Sequence, residues 1–145
     1  RSTSRKDIIA SRRHRAFSGF SMGGVATWAV FQNCLQLAAY YMPLSGDSMD
    51  GGTPDEKVQN LVNAIWASGL TERDYFIFSA TGTDDMAAPG HIAMIEAMEY
   101  YPEFIWTSDF SVGNTWFILA NGGYHYWNWI KNYICEILPY FFHEE

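Results

Sequence analysis

An α/β architecture, with a mostly parallel sheet flanked by helices, is predicted for this chain by three observations. Short β-prone runs alternate with longer helical stretches, which is the pattern of β-α-β units. Each run ends in glycine and polar residues: Ser21, Ser45-Gly46-Asp47, Thr83-Asp84-Asp85 and Asn121-Gly122-Gly123. The tightest of these ends, Gly19-Phe20-Ser21-Met22-Gly23-Gly24, has the G-x-S-x-G spacing of a sharp strand-to-helix turn that lifts a serine hydroxyl above the sheet. Glycines at the flanking positions are expected to be steric, because side chains there would meet the neighbouring strand or the following helix.

In chain order, Ile8, Ile9 and Ala10 among charges suit a short surface helix over 3–13, and 15–20 reads as a brief strand into the turn. Val25, Trp28, Ala29 and Phe31 recur at helical spacing, which predicts a helix over 22–36 with a broad buried face. Residues 37–44 form an apolar run stopped by Pro43 and Ser45-Gly46-Asp47, as in a buried parallel strand opening into a loop. Pro54-Asp55-Glu56 opens a second helix, since proline and acids favour a first turn, and Gly69 closes it. The run YFIFSA at 75–80 is the next strand, followed by a helix over 90–100. WFILA at 116–120 is the last strand, and an aromatic-rich helix over 127–142 is expected to be kinked or shortened by Pro139.

The 145 residues suit one domain, and 48% hydrophobic content is ample for a packed core, in which most of the tryptophans are expected. Nine basic residues against sixteen acidic ones, a net charge of −7, argue against nucleic acid or an anionic membrane as the partner. The basic run Arg12-Arg13-His14-Arg15 reads as a solvated helix end. No stretch is apolar for long enough to span a bilayer. Cys34 and Cys135 match no metal or redox spacing and are read as small buried hydrophobes, although a single disulfide between them stays open.

Ligands of parallel sheets bind beyond the carboxyl ends of the strands, so the residues placed there are the candidates for chemistry. They are Ser21, Asp47, Asp84 or Asp85, and His125. Serine, acid and histidine in that chain order are the parts of an acyl-transfer triad. A serine hydroxyl needs a base within hydrogen-bond reach, and a carboxylate fixes the tautomer of the imidazole that serves as that base. Such a site loses activity as pH falls below the ordinary imidazole range of roughly 6–7. His14 and His143 read as surface residues, and His91 as the beginning of a helix. Only one of the adjacent Asp84 and Asp85 can face the imidazole, and Asp47 competes from the preceding strand or shapes its loop. Tyr126 and Trp127, beside His125, are candidates to line an acyl pocket, with Asp47 a further candidate for substrate contact.

The stretches 14–24 (HRAFSGFSMGG), 42–47 (MPLSGD), 80–85 (ATGTDD) and 138–144 (LPYFFHE) together resemble the feruloyl esterase domains of bacterial xylanases, in carbohydrate esterase family 1. The resemblance runs nearly end to end and implies the C-terminal half of an α/β-hydrolase fold, so that 1–145 is a partial domain whose N-terminal part is absent. It implies Ser21 as nucleophile, Asp85 as the orienting acid and His125 as base, with no metal or cofactor. It further implies a secreted enzyme that releases ferulate from arabinose on xylan. The Met22 N–H is the oxyanion donor at hand, and the half not matched would supply the second. Relatives often carry aromatics after Ser-Gly-Asp, where this chain has Ser48-Met49-Asp50. Acetyl, formylglutathione or siderophore esterases and acyltransferases share the fold and remain alternatives. So does a non-catalytic half-domain that folds only with a partner, through the missing segment or self-association.

Overall fold

The computed structural model describes residues 11–142, so the helix expected over 3–13 falls largely, and His143 wholly, outside them. Four strands, β1 (Ala16–Phe20), β2 (Tyr40–Leu44), β3 (Phe76–Gly82) and β4 (Thr115–Ala120), form one parallel sheet in the order β1-β2-β3-β4. The helices are α1 (Met22–Cys34), α2 (Pro54–Ser68), α3 (Ala88–Met98) and α4 (Trp127–Ile137).

Side chains alternate across the sheet and so divide the core in two. On one face Tyr41 and Ile77 pack with Trp28 and Phe31 of α1, Leu61 and Ile65 of α2, and Met94 and Met98 of α3. On the other, Tyr40, Met42, Phe76 and Phe78 pack with Ile130, Tyr133 and Ile137 of α4 and with Phe110 and Phe141. Every residue of β2 and β3 is buried, because both faces of these strands are covered and both edges paired. That is why their sequences read as continuous apolar runs. β1 differs: among the described residues it pairs only with β2, and Ala16, Phe17 and Ser18 are exposed.

The expected ends of α2 are present. Thr53 and Glu56 cap its first turn reciprocally, Pro54 occupies the first position, and Gly69 closes it in the left-handed region at φ 71°. Pro139 shortens the last helix as expected, and α4 gives way to a 3-10 turn over Leu138–Tyr140.

Other expectations need correction. The run at 37–44 enters the sheet only at Tyr40, after a 3-10 turn over Leu35–Leu37. Pro43 lies inside β2 rather than ending it; the register to β3 is interrupted at Met42 and Pro43 and resumes at Leu44↔Ala80, which accommodates the absent N–H. The tryptophans are not mostly core: Trp28 is buried, but Trp66 and Trp127 are 75% and 55% exposed. Cys34 and Cys135 are not buried hydrophobes either, being half-buried and exposed. Both are free thiols, since they sit on helices that cover opposite faces of the sheet. Arg12 is not simply solvated: its Nε donates to the Leu35 carbonyl at 3.0 Å and its guanidinium also bonds the Asp74 carbonyl, while Arg13 pairs with the Asp74 carboxylate at 3.3 Å.

Candidate active site

Ser21 sits between β1 and α1 with φ 61° and ψ −117°, a backbone conformation that costs energy in a non-glycine residue and persists only where its surroundings enforce it. Those surroundings are visible. The Ser21 N–H donates to the Leu44 carbonyl at 3.0 Å, and the Ser21 carbonyl accepts from the Val25 N–H at 3.1 Å. A Cβ on Gly19 would lie 2.3 Å from the Gly23 carbonyl carbon, and one on Gly24 would lie 2.7 Å from the Leu44 carbonyl oxygen. The steric reading of the glycines therefore holds at Gly19 and Gly24 but not at Gly23, where a Cβ would meet nothing within 4 Å.

His125 is brought to Ser21 by the loop after β4. The Gly122 N–H donates to Thr83 Oγ1 at 2.8 Å and the Asp84 N–H to the Gly123 carbonyl at 2.8 Å, which ties this loop to the end of β3. Of the two adjacent acids, Asp84 is exposed and Asp85 is only 4% exposed. Asp85 Oδ1 accepts from the Ala87 N–H at 2.8 Å and lies 2.7 Å from His125 Nδ1. An ionised carboxylate only accepts, so Nδ1 carries the imidazole proton and Nε2 presents a lone pair. His125 Nε2 lies 2.9 Å from Ser21 Oγ, within reach to accept its proton. The Phe20 ring packs on the imidazole at a centroid distance of 4.6 Å and on Trp127 at 6.1 Å.

The remaining candidates are placed differently. Met22 opens α1, and the first N–H groups of a helix have no partner within it. Tyr126 and Trp127 are about half exposed beside His125. The Asp47 carboxylate is engaged by Lys57 Nζ at 2.6 Å and lies against Gly90, so it joins the loop after β2 to α2 and α3. His14 is exposed and bonds Ser11. Among the described residues no group of three or more His, Cys, Asp or Glu could hold a metal ion, and no helix is long and apolar enough to cross a membrane. A cleft of about 690 Å³ lined by Arg13, Arg73, Phe76, Phe110 and Gly113 lies at the opposite end of the strands and holds none of the triad residues.

His91 lies in the first turn of α3, which starts three residues earlier at Ala88, and it is fully buried. Burial pushes its pKa down to about 4, against the opposing pull of Asp47 and Asp85. The folded protein thus resists protonating a group that the unfolded chain protonates near 6.5. Its contribution to stability is full above that value and is lost as pH falls from 6.5 towards 4, by about 3 kcal/mol in total. Urea midpoints measured at pH 7 and pH 5 should therefore fall further for the wild type than for His91→Asn; equal falls would contradict this account.

No family model matches the chain. Over 143 residues, 99% of the chain, it is 51% identical to endo-1,4-beta-xylanase Y of Acetivibrio thermocellus, covering 13% of that protein. It superposes with a TM-score of 0.91 and 50% identity on a serine-to-alanine mutant of the feruloyl esterase module from Clostridium thermocellum complexed with sinapinate. That match covers 99% of this chain and 50% of the module. The chain matches half of a feruloyl esterase module. An S-formylglutathione hydrolase from Staphylococcus aureus, 14% identical with a TM-score of 0.70 over 96% of this chain and 59% of its own, shares the fold alone. The four strands and their helices are accordingly half of an α/β-hydrolase fold.

Two contributors to the site were missed in the sequence. Phe20 occupies the variable position before the serine, where no pattern marks it as the ring that backs the histidine. The Ala87 N–H that holds Asp85 is a backbone group, for which no residue type gives a signal.

Proposed function

We propose that the chain carries the catalytic triad of a serine esterase acting on feruloyl and related hydroxycinnamoyl esters of plant cell-wall arabinoxylan. The observation that carries this reading is the continuous hydrogen-bonded series Asp85–His125–Ser21, at 2.7 and 2.9 Å. Ser21 Oγ attacks the ester carbonyl while His125 Nε2 takes its proton. The tetrahedral oxyanion is held by the Met22 N–H, and Asp85 stabilises the imidazolium. Collapse expels the sugar hydroxyl, which takes the proton from His125 and leaves a feruloyl-serine ester. Water, deprotonated by His125, then attacks that ester and frees ferulate and Ser21.

The sinapinate in the related module's complex and the xylanase in which the related sequence occurs support a hydroxycinnamoyl acyl group and a xylan carrier. Tyr126 and Trp127 provide exposed aromatic surface for that acyl ring beside His125. Asp47 shapes the bordering loop through Lys57 and stays a further candidate for substrate contact there. Action on a cell-wall polymer calls for a secreted protein. Paired chromogenic substrates test the acyl preference: feruloyl ester should be turned over with a higher kcat/KM than acetyl ester, and the reverse order would transfer the chain to the acetyl esterases.

Among the described residues β1 leaves one edge unpaired, with Ala16, Phe17 and Ser18 exposed, and this favours a second element in this reading. The sheet is completed across β1 by a further segment, which also brings the second oxyanion donor. An unpaired edge of this kind otherwise pairs with another copy.

A further inference from the structure

The loop after β2 approaches the nucleophile from behind. Ser45 has φ 49°, and its N–H donates to the Ala80 carbonyl of β3 at 2.9 Å. Next to it, Gly46 lies so close to the turn that a Cβ would stand 2.5 Å from the Ser21 carbonyl oxygen. Two buried side chains grip Gly46: His91 Nδ1 accepts its N–H at 3.1 Å, and the Trp28 indole N–H donates to its carbonyl at 2.8 Å. The two grips also touch, the indole meeting the imidazole edge-on with ring centroids 6.4 Å apart, and Phe117 stacks on the imidazole at 5.7 Å.

His91 belongs equally to the acid's side of the site. Its own N–H donates to the Ala87 carbonyl at 3.0 Å, and the Ala87 N–H is the backbone donor to Asp85 Oδ1. A second path therefore runs beneath the triad, from Ser21 through Gly46, His91 and Ala87 to Asp85. An imidazole that accepts at Nδ1 must carry its proton on Nε2, so His91 works as a neutral ring. Among the described residues, the charged groups acting on it are the carboxylates of Asp47 and Asp85.

We propose that His91 is a positioning residue, which through the Gly46 peptide fixes the spacing between the nucleophile Ser21 and the acid Asp85. This rests on the triad reading above. Without the acceptor, the buried Gly46 N–H is left unpaired and the Ser45-Gly46 turn relaxes, and the nucleophile turn shifts with it. Displacements well under 1 Å are enough to matter in such a site.

The test compares His91→Phe, which keeps a ring for the stack but has no acceptor, with His91→Asn, whose amide oxygen stands where Nδ1 stood. Turnover of a chromogenic feruloyl ester is followed alongside the low-field proton resonance of His125 Nδ1–H. His91→Phe should lower kcat by about 10- to 100-fold with KM within about 2-fold, and should move or broaden the resonance. His91→Asn should recover most of both. If His91→Phe fails to fold, Trp28→Phe removes the other grip on the same peptide, and the same loss in kcat is expected. Unchanged kcat and resonance in folded His91→Phe, or no recovery in His91→Asn, would overturn the inference. A wild type without turnover whose His125 resonance still responds to His91→Phe would count against the esterase reading and not against His91.

Discussion

Ser21→Ala should lower turnover of a chromogenic feruloyl ester by about 10⁴-fold or more while leaving circular dichroism and the melting curve unchanged. The size of the loss follows from the part that Ser21 plays. It supplies the attacking oxygen, and its hydroxyl, 2.9 Å from His125 Nε2, is the one that the base deprotonates in this reading. Little stability is at stake, because the hydroxyl lies at the partly exposed end of the turn and the strained backbone at φ 61° is imposed by its neighbours. Loss of activity together with loss of fold would instead make Ser21 a structural residue. Retained activity would remove it from the chemistry.

The second large effect concerns the half of the module to which the chain has no counterpart. Joining this chain to the unmatched half of the Clostridium thermocellum module should raise kcat by about 100- to 1,000-fold over the chain alone, the usual worth of one oxyanion donor. The 50% identity over the shared half makes the chimera feasible. If the added segment meets the sheet at the exposed stretch of β1, as proposed, the chimera should also run as a monomer in gel filtration and the chain alone should self-associate. Equal kcat with and without the added half would mean that the Met22 N–H suffices, or that the second donor lies within these 145 residues.

Much of this site was legible before any coordinates. The G-x-S-x-G turn, the β-prone runs and their polar ends pointed to Ser21 and His125, because parallel strands gather the residues that follow them at one end of the sheet. Local composition could not separate Asp84 from Asp85, since adjacent residues share every pattern. Burial of one and exposure of the other do so in three dimensions. Pro43 misled because a proline usually ends a strand, and only the pairing with β3 reveals where its missing N–H is tolerated. Gly23 misled in the opposite sense: the motif's glycine has open space, and the crowded neighbour is Gly24. His91 was invisible as a contributor, because a histidine inside an apolar helix reads the same whether it fills space or grips the backbone of a loop 45 residues away.

The central claim, that Ser21 is acylated within a triad completed by Asp85 and His125, is tested most directly by mass spectrometry of the wild type and Ser21→Ala after brief incubation with the feruloyl ester and acid quenching. The wild type should carry one feruloyl group, mapped to Ser21, and the variant none. A modified variant, or a wild type acylated at any other residue, would contradict the account.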